Sequence, residues 1–188
     1  MAQTTKRALA ASLKKLLGKK TLDRITIADI TEDCGVNRQT FYYHFKDIYD
    51  LVEWIYTSEA SRALGEEKTY DTWQDGFRRI LDYALENRTF VINTYHSVSR
   101  EFLERYLYGE AYSLLRAVVE EKAKGLSIRE ADKDFIANFY KYGFTGIVCD
   151  WIGRGMREDP DSLARQLGTL IQGNIPAAIE RFCCGPCR

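Results

Sequence analysis

Apolar positions recur along this chain at helical spacing almost from end to end. Leu9, Leu13, Leu16 and Leu17 form an i, i+4, i+7, i+8 stripe, which predicts a first helix over residues 4–17 that Gly18 ends. Ile27 and Ile30 mark the inward side of a second helix. Thr26 with Asp29 forms a loose capping box at its start, and it runs out at Cys34-Gly35. Phe41 and Phe45 lie four apart and share one face of a short third helix capped by Asn37. Asp47, with Asp50 at the third position, caps a fourth that carries Leu51, Val52, Trp54, Ile55 and Tyr56 and runs to about Leu64.

The second part repeats the period. Asp71 and Gln74 form a capping box ahead of Phe77, Ile80, Leu81, Ala84 and Leu85. Residues 90–95 are short and very apolar, and are read as helix in context. A long helix over 99–124 carries Phe102, Tyr106, Leu107, Leu114, Leu115, Val118 and Val119, and Gly125 ends it. Residues 132–154 are apolar nearly all round, which predicts burial on several sides. Gly143, Gly146 and Gly153 each cost a helix about 1 kcal/mol relative to Ala, an expense offset where helices approach closely. Asp159-Pro160 opens the next helix, with Leu163, Leu167, Leu170 and Ile171 as its stripe, and residues 175–182 close the pattern.

With three prolines and no long alternating β-branched run, the expected class is all-α. The layout predicts an N-terminal three-helix domain over 1–51, with a linking helix over 47–64. A boundary loop follows at Gly65-Glu66-Glu67-Lys68. A helical-bundle domain over 65–182 and a cysteine-bearing tail over 183–188 complete the chain. An apolar content of 45% suits a folded chain rather than a disordered one.

Net charge is +0, so bulk charge names no partner, but its distribution is uneven. Residues 1–25 hold seven Lys and Arg against Asp23 alone, a surplus of six that the remaining 163 residues balance. A basic end on an otherwise acidic protein suits contact with a polyanion, although a solvated lysine-rich helix has the same composition. The start carries no signal-peptide pattern and no apolar run approaches a membrane span, so the expected location is the cytoplasm, with no membrane partner and with the five cysteines reduced.

Helix, glycine turn and second helix with a polar outer face is the helix-turn-helix layout. Gln39, Thr40 and Tyr43 lie opposite Phe41 and Phe45, flanked by Arg38, Tyr42 and His44. Arg38, Gln39 and Thr40 are the types that read base edges. Thr26, Tyr42, His44 and Lys46 suit phosphate.

Thr26-Ile27-Ala28-Asp29-Ile30, then Cys34-Gly35-Val36-Asn37-Arg38-Gln39-Thr40-Phe41-Tyr42-Tyr43-His44-Phe45-Lys46-Asp47, then Asp50-Leu51, closely resembles the DNA-binding domain of TetR/AcrR-type transcription regulators. Three positions depart from the usual pattern: Thr31 at a small-residue position, Gln39 at a frequent glycine, and Ile48 at a common lysine. Gln39 should raise helix stability by up to ~1 kcal/mol. Ile48 removes one backbone contact. In the second part, Tyr142-Gly143-Phe144 with Gly146-Ile147, then Trp151-Ile152 and Gly155-Met156, is similar to a DhaS-like subgroup of that family. That resemblance implies a homodimer on double-stranded operator DNA, paired through the last two long helices. It further implies control by a small-molecule effector or a protein co-regulator. The expected function is a DNA-binding regulator of the repressor type. An activator or co-regulator driven by a protein partner is the alternative. The expected interface residues are Gly143, Gly146, Ile147, Gly153, Leu163, Leu167 and Leu170.

Other chemistry is thin. Phe90, Tyr95, His96, Arg100, Tyr112 and Trp151 are candidates for an effector cavity, and equally for ordinary aromatic core. His96 lacks ligands at metal spacing, so no metal or cofactor is expected. Cys184 and Cys187 have Cys-x-x-Cys spacing beside Cys183, which fits a redox or zinc role or simply a frayed tail. There is no Gly-rich phosphate loop or nucleophile motif, which argues against an enzyme.

Overall fold

The computed structural model describes residues 2–60 and 73–183, and among these every regular element is helical. The chain divides into two compact units, Met1–Arg62 with Glu86–Tyr106, and Ala63–Leu85 with Leu107–Arg188. The anticipated boundary at Gly65-Lys68, the Asp71 cap and the far end of the linking helix lie outside the described residues.

In the first unit, α1 (Ala2–Leu17) buries Leu9, Ala10, Leu13 and Leu17. A 3-10 turn (Leu22–Arg24) leads to α2 (Ile27–Cys34). The Thr26 hydroxyl accepts from the Asp29 N–H at 3.2 Å, while the Asp29 carboxylate accepts from the Thr26 N–H at 2.7 Å, completing the capping box. Gly35 closes α2 in the left-handed region at φ 68, and α3 (Arg38–His44) follows at once. Asp47 caps α4 (Ile48–Ile55) by accepting from the Asp50 N–H at 2.9 Å. Leu9, Leu13, Ile30, Phe41, Leu51, Val52 and Ile55 are wholly buried and form the core. Each side chain of that size contributes roughly 1.5–3 kcal/mol by leaving water.

Beyond Ile55 the helix widens into a π segment, Tyr56–Ala60, where the ordinary backbone ladder slips. The Thr57 hydroxyl satisfies the Glu53 carbonyl at 3.0 Å, and that of Ser58 donates to the Trp54 carbonyl. Tyr56 is buried; it stacks on Tyr106 at 5.6 Å and shares a hydrogen bond with Thr94. Thr94 belongs to α6 (Arg88–Tyr95), which buries Phe90, Val91 and Thr94. The Lys14 ammonium ties this helix to α1, lying 5.5 Å from the Phe90 ring centre and donating to Asn87 at 2.8 Å. The stretch from 86 to 106 therefore packs with the N-terminal helices, although it lies within the span 65–182 expected for the second domain.

The second unit is built from α5 (Trp73–Glu86), the later part of α7 (Arg100–Lys122), α8 (Glu130–Gly153), α9 (Pro160–Ile171) and α10 (Asn174–Phe182). Trp73 and Phe77 meet Phe144 edge-on at 5.5 and 5.4 Å, locking α5 to α8. The Trp151 indole donates to the Glu158 carbonyl at 3.0 Å, and Asp159 caps α9 with Pro160 at its first position. A polar seam joins α7 to α8. Arg116 pairs with Glu120, Glu130 and Asp134, and Lys133 with Glu120 and Glu130. Burial of α8 runs round most of its circumference, through Ile136, Ala137, Phe144, Thr145, Val148, Cys149, Trp151 and Ile152, as the apolar pattern predicts. One face is left out: Phe135, Phe139 and Tyr142 stand 60–66% exposed, and among the described residues nothing lies over Gly143 or Gly146.

Two outcomes test the head. Gly35→Ala puts a Cβ on a left-handed residue and should cost about 1 kcal/mol in urea denaturation; no change would contradict the observed turn. Lys20 (2.7 Å), then the Thr26 hydroxyl and N–H, hold the Asp29 carboxyl well below its ordinary value near 3.8. A folded-state value below the unfolded one contributes stability above the ordinary carboxylate range, and that contribution is lost as pH falls through and below it. Asp29→Asn should therefore be less stable than the parent at pH 7, with the gap narrowing at pH 3. A gap independent of pH would refute the assignment.

Candidate nucleic-acid interface

The outer face of α3 is shaped by what lies under it. Asn37 accepts from the Thr40 N–H at 2.8 Å and from its hydroxyl at 3.0 Å, fixing the helix start. Phe41 and Phe45, 0% and 2% exposed, fix its inner side. The Phe45 ring lies 5.8 Å from that of Trp54, with the Lys6 ammonium 5.1 Å from its centre. What remains outward is polar and aromatic. Arg38, Gln39, Tyr42, Tyr43 and Lys46 are exposed, Tyr43 at 82%, and Thr40 and His44 are half-buried. Tyr43 meets His44 edge-on at 4.9 Å. Among the described residues no salt bridge engages the Arg38 or Lys46 side chain. The surface thus offers a planar guanidinium, an amide, two phenols and an ammonium, the donors that base edges and phosphates accept from.

Thr26 is differently placed. Its hydroxyl donates to Asp29 at 2.7 Å and its N–H does the same, so a phosphate there would have to displace the carboxylate. The basic surplus of the first 25 residues is also partly internal. Lys15 pairs with Asp33 at 2.5 Å, Lys20 with Asp29, Lys14 with Asn87, and Lys6 covers Phe45. Thr31, one of the unusual positions, is buried with its hydroxyl bonded to the Ile27 carbonyl at 2.9 Å. Ile48 is half-buried at the first position of α4.

The six residues proposed for an effector cavity fall in both units. Phe90 is core of the first unit against Tyr56. Tyr95, His96 and Arg100 form a surface cluster there, with the guanidinium 4.4 Å from the Tyr95 ring centre and Arg100 also bonded to Glu104. In the second unit, Tyr112 donates to Asp134 at 2.8 Å and Trp151 is spent on the Glu158 carbonyl. Among the described residues, the second unit shows cavities of other composition. A cleft of about 540 Å³ between α5 and α9 is lined by Gln74, Asp75, Arg78, Asp161, Arg165 and Gln172, with Arg78 paired to Asp161. A void of about 10 Å³ lies among Phe77, Ile80, Leu114, Phe144 and Val148, beside the buried Thr145 hydroxyl, which has no hydrogen-bond partner. These linings come from helices far apart in sequence, and no local pattern marks them.

Of the expected interface residues, Gly143, Gly146, Gly153 and Leu170 are exposed, and Ile147 and Leu163 half-buried. Leu167 is 5% exposed, turned into the unit's own core, which removes it from that surface. Phe135, Phe139 and Tyr142, which were not among the expected residues, are exposed on the same helix, spaced four and three apart. Cys183 is a half-exposed free thiol, while Cys184 and Cys187 lie outside the described residues. Among the described residues no group of three or more His, Cys, Asp or Glu is placed to hold a metal, and no helix is long and apolar enough to cross a membrane.

Comparison with known proteins gives concordant results. Residues 9–55 match the family described as bacterial regulatory proteins, tetR family, and residues 71–173 match a transcriptional regulator C-terminal region. A curated relative, the HTH-type dhaKLM operon transcriptional activator DhaS of Lactococcus lactis, is 25% identical over 91% of this chain and 90% of its own. A solved structure described as dihydroxyacetone kinase operon activator DhaS superposes with a TM-score of 0.73 at 24% identity, covering 96% of this chain and 98% of that one. A putative transcriptional regulator from Pseudomonas aeruginosa shares the fold at a TM-score of 0.65 and 15% identity, covering 97% and 95%. These proteins are similar to the chain as regulators, not enzymes. The exposed donor face of α3 and both family matches agree: the chain belongs to the TetR family of bacterial regulatory proteins and is a DNA-binding regulator of transcription.

Proposed function

We propose that the chain works in the cytoplasm as a homodimer on a roughly palindromic operator, each α3 lying in the major groove. The observation that carries this reading is the exposed polar face of α3 over the buried Phe41 and Phe45. Arg38 and Gln39 read base edges, as a bidentate guanidinium does with guanine and an amide with adenine, and Thr40 lends its hydroxyl oxygen. Tyr42, Tyr43, His44 and Lys46 hold phosphates, and Thr26 contributes where phosphate replaces Asp29. Pairing is supported by the open apolar face of α8 and by Leu170, 68% exposed on α9.

The second unit receives the signal. A ligand or protein bound there shifts the spacing of the two heads, and a coupling of about 1–3 kcal/mol suffices to switch operator affinity. Repression relieved by a small molecule is the first reading, with the polar cleft between α5 and α9 as the cavity of ligand size. Activation with a protein co-regulator is the second. Two observations favour it: the Lactococcus lactis relative is named an operon transcriptional activator, and the void under α5, α7 and α8 has room for about one water.

Binding to duplexes selected from a random-sequence pool tests the head. Lys46→Ala should weaken all sequences alike and lower the salt slope by about one. Gln39→Ala should instead cost roughly 1–3 kcal/mol on the preferred site and relax preference at one base pair. A Lys46→Ala protein with altered preference and an unchanged salt slope would overturn the assignment.

A further inference from the structure

The cleft between α5 and α9 encloses about 540 Å³, within the roughly 300–1,000 Å³ of small-molecule sites. Its α9 wall carries Asp161, Arg165, Gly168 and Gln172 at steps of three and four, so one stripe of the helix faces it. Leu170, nine residues from Asp161, lies about 180° round the helix and leaves the cleft clear of the exposed apolar side. The two ends of the cleft differ. At one, the Arg78 guanidinium of α5 pairs across the gap with Asp161. At the other, Gln74 reaches toward Gly168, where a Cβ would lie 3.8 Å from its amide nitrogen. Trp73 lines the cleft while itself 3% exposed, and its edge contact with Phe144 keeps that wall in place.

The ion pair across the cleft limits what can enter. Arg78 is also held by Asp82 at 2.8 Å along its own helix, and Arg165 approaches Asp159 only at 4.0 Å. Two guanidiniums and two carboxylates, Asp75 and Asp161, line the space, so its charges cancel. A simple anion that took Arg78 would draw it from Asp161 and then face both carboxylates. A simple cation on Asp161 would face both guanidiniums. An apolar molecule would cover charged and amide groups without replacing their hydrogen bonds to water. A molecule bearing both signs can enter the pair and leave neither charge unmatched. The Asp161 side chain is 57% exposed, so the pair contributes little by itself and is readily exchanged.

Resting on the small-molecule effector reading above, we propose that the α5–α9 cleft binds a zwitterionic amino acid or dipeptide, with its carboxylate on Arg78 and Arg165 and its ammonium on Asp161 and Asp75. Each guanidinium offers paired N–H groups to a carboxylate. Gln74 and Gln172 each bring a carbonyl and an amino group to the far end, which suits a peptide bond or a polar side chain. Gly168 keeps that end open, at the cost in helix propensity that a mid-helix glycine carries.

Thermal unfolding of the full-length chain, with calorimetric titration of whatever shifts it, tests the site and its ligand class. The probes are the common amino acids and the dipeptides of glycine with each, at about 10 mM. N-acetylated and methyl-esterified forms, which keep one charge each, are compared with them, as are inorganic phosphate and glycerol. At least one zwitterion should raise Tm by about 2 °C or more, and its single-charge forms should not. Gly168→Leu, which fills the open end, should abolish the shift without lowering the ligand-free Tm. Asp161→Asn, which leaves Arg78 its bond to Asp82, should raise the dissociation constant about tenfold or more. The absence of any zwitterion shift would overturn the proposal, as would binding that survives both substitutions. Phosphate or glycerol binding that Gly168→Leu abolishes would overturn the ligand class and keep the cleft as a site. A zwitterion bound there should change affinity for the selected duplexes about fivefold or more. Binding with no such change would overturn the effector reading and leave the amino acid site standing.

Discussion

Two phenylalanines under a seven-residue helix hold the regulatory head together. A helix of seven residues is about 10 Å long and far too short to persist alone in water. It exists because Phe41 and Phe45 are taken wholly into a core made by α1, α2 and α4. Their burial leaves the opposite face no inward choice, so Arg38, Gln39 and Tyr43 must point outward. The Asn37 cap and the left-handed Gly35 set the angle at which that face is presented. Recognition chemistry and packing are thus two sides of one constraint. A polar surface can be varied freely as long as the rings beneath keep the helix in place.

The basic character of the N-terminal end has a double use. Several lysines that composition would assign to DNA are engaged within the head, on Asp29, Asp33, Asn87 and the Phe45 ring. Their charge stabilises caps and covers aromatic faces as well as raising the local potential. The head also takes in α6, whose Thr94 and Phe90 meet Tyr56 where α4 passes into its π segment. Departures from α geometry need local repair, and Thr57 and Ser58 supply it by bonding to the carbonyls behind them.

The second unit shows the complementary logic. Its inner faces are closed by the aromatic contacts of Trp73 and Phe77 with Phe144 and by the ionic seam around Arg116 and Lys133. One side of α8 is left over. Its rings and glycines are costly to a lone chain, the rings for their exposed apolar surface and the glycines for lost helix propensity.

By itself, the sequence determined the helices, their caps and the polar face of α3. These follow from interactions within a few residues: Thr26 with Asp29, Asn37 with Thr40, Asp47 with Asp50, and the four-residue step from Phe41 to Phe45. Tertiary structure decided what depends on distant residues. Nothing local tells that Lys20 spends itself on Asp29, that Leu167 turns inward while Leu170 does not, or that residues 86–106 join the head. The cavity candidates Phe90, Tyr95, His96, Arg100, Tyr112 and Trp151 went to both units for the same reason: side-chain type proposes a cavity, but only the packing of helices far apart in sequence forms one. In α8 the apolar content was plain, yet an all-round pattern does not say which side a single chain leaves uncovered. That is settled by which neighbours the fold supplies.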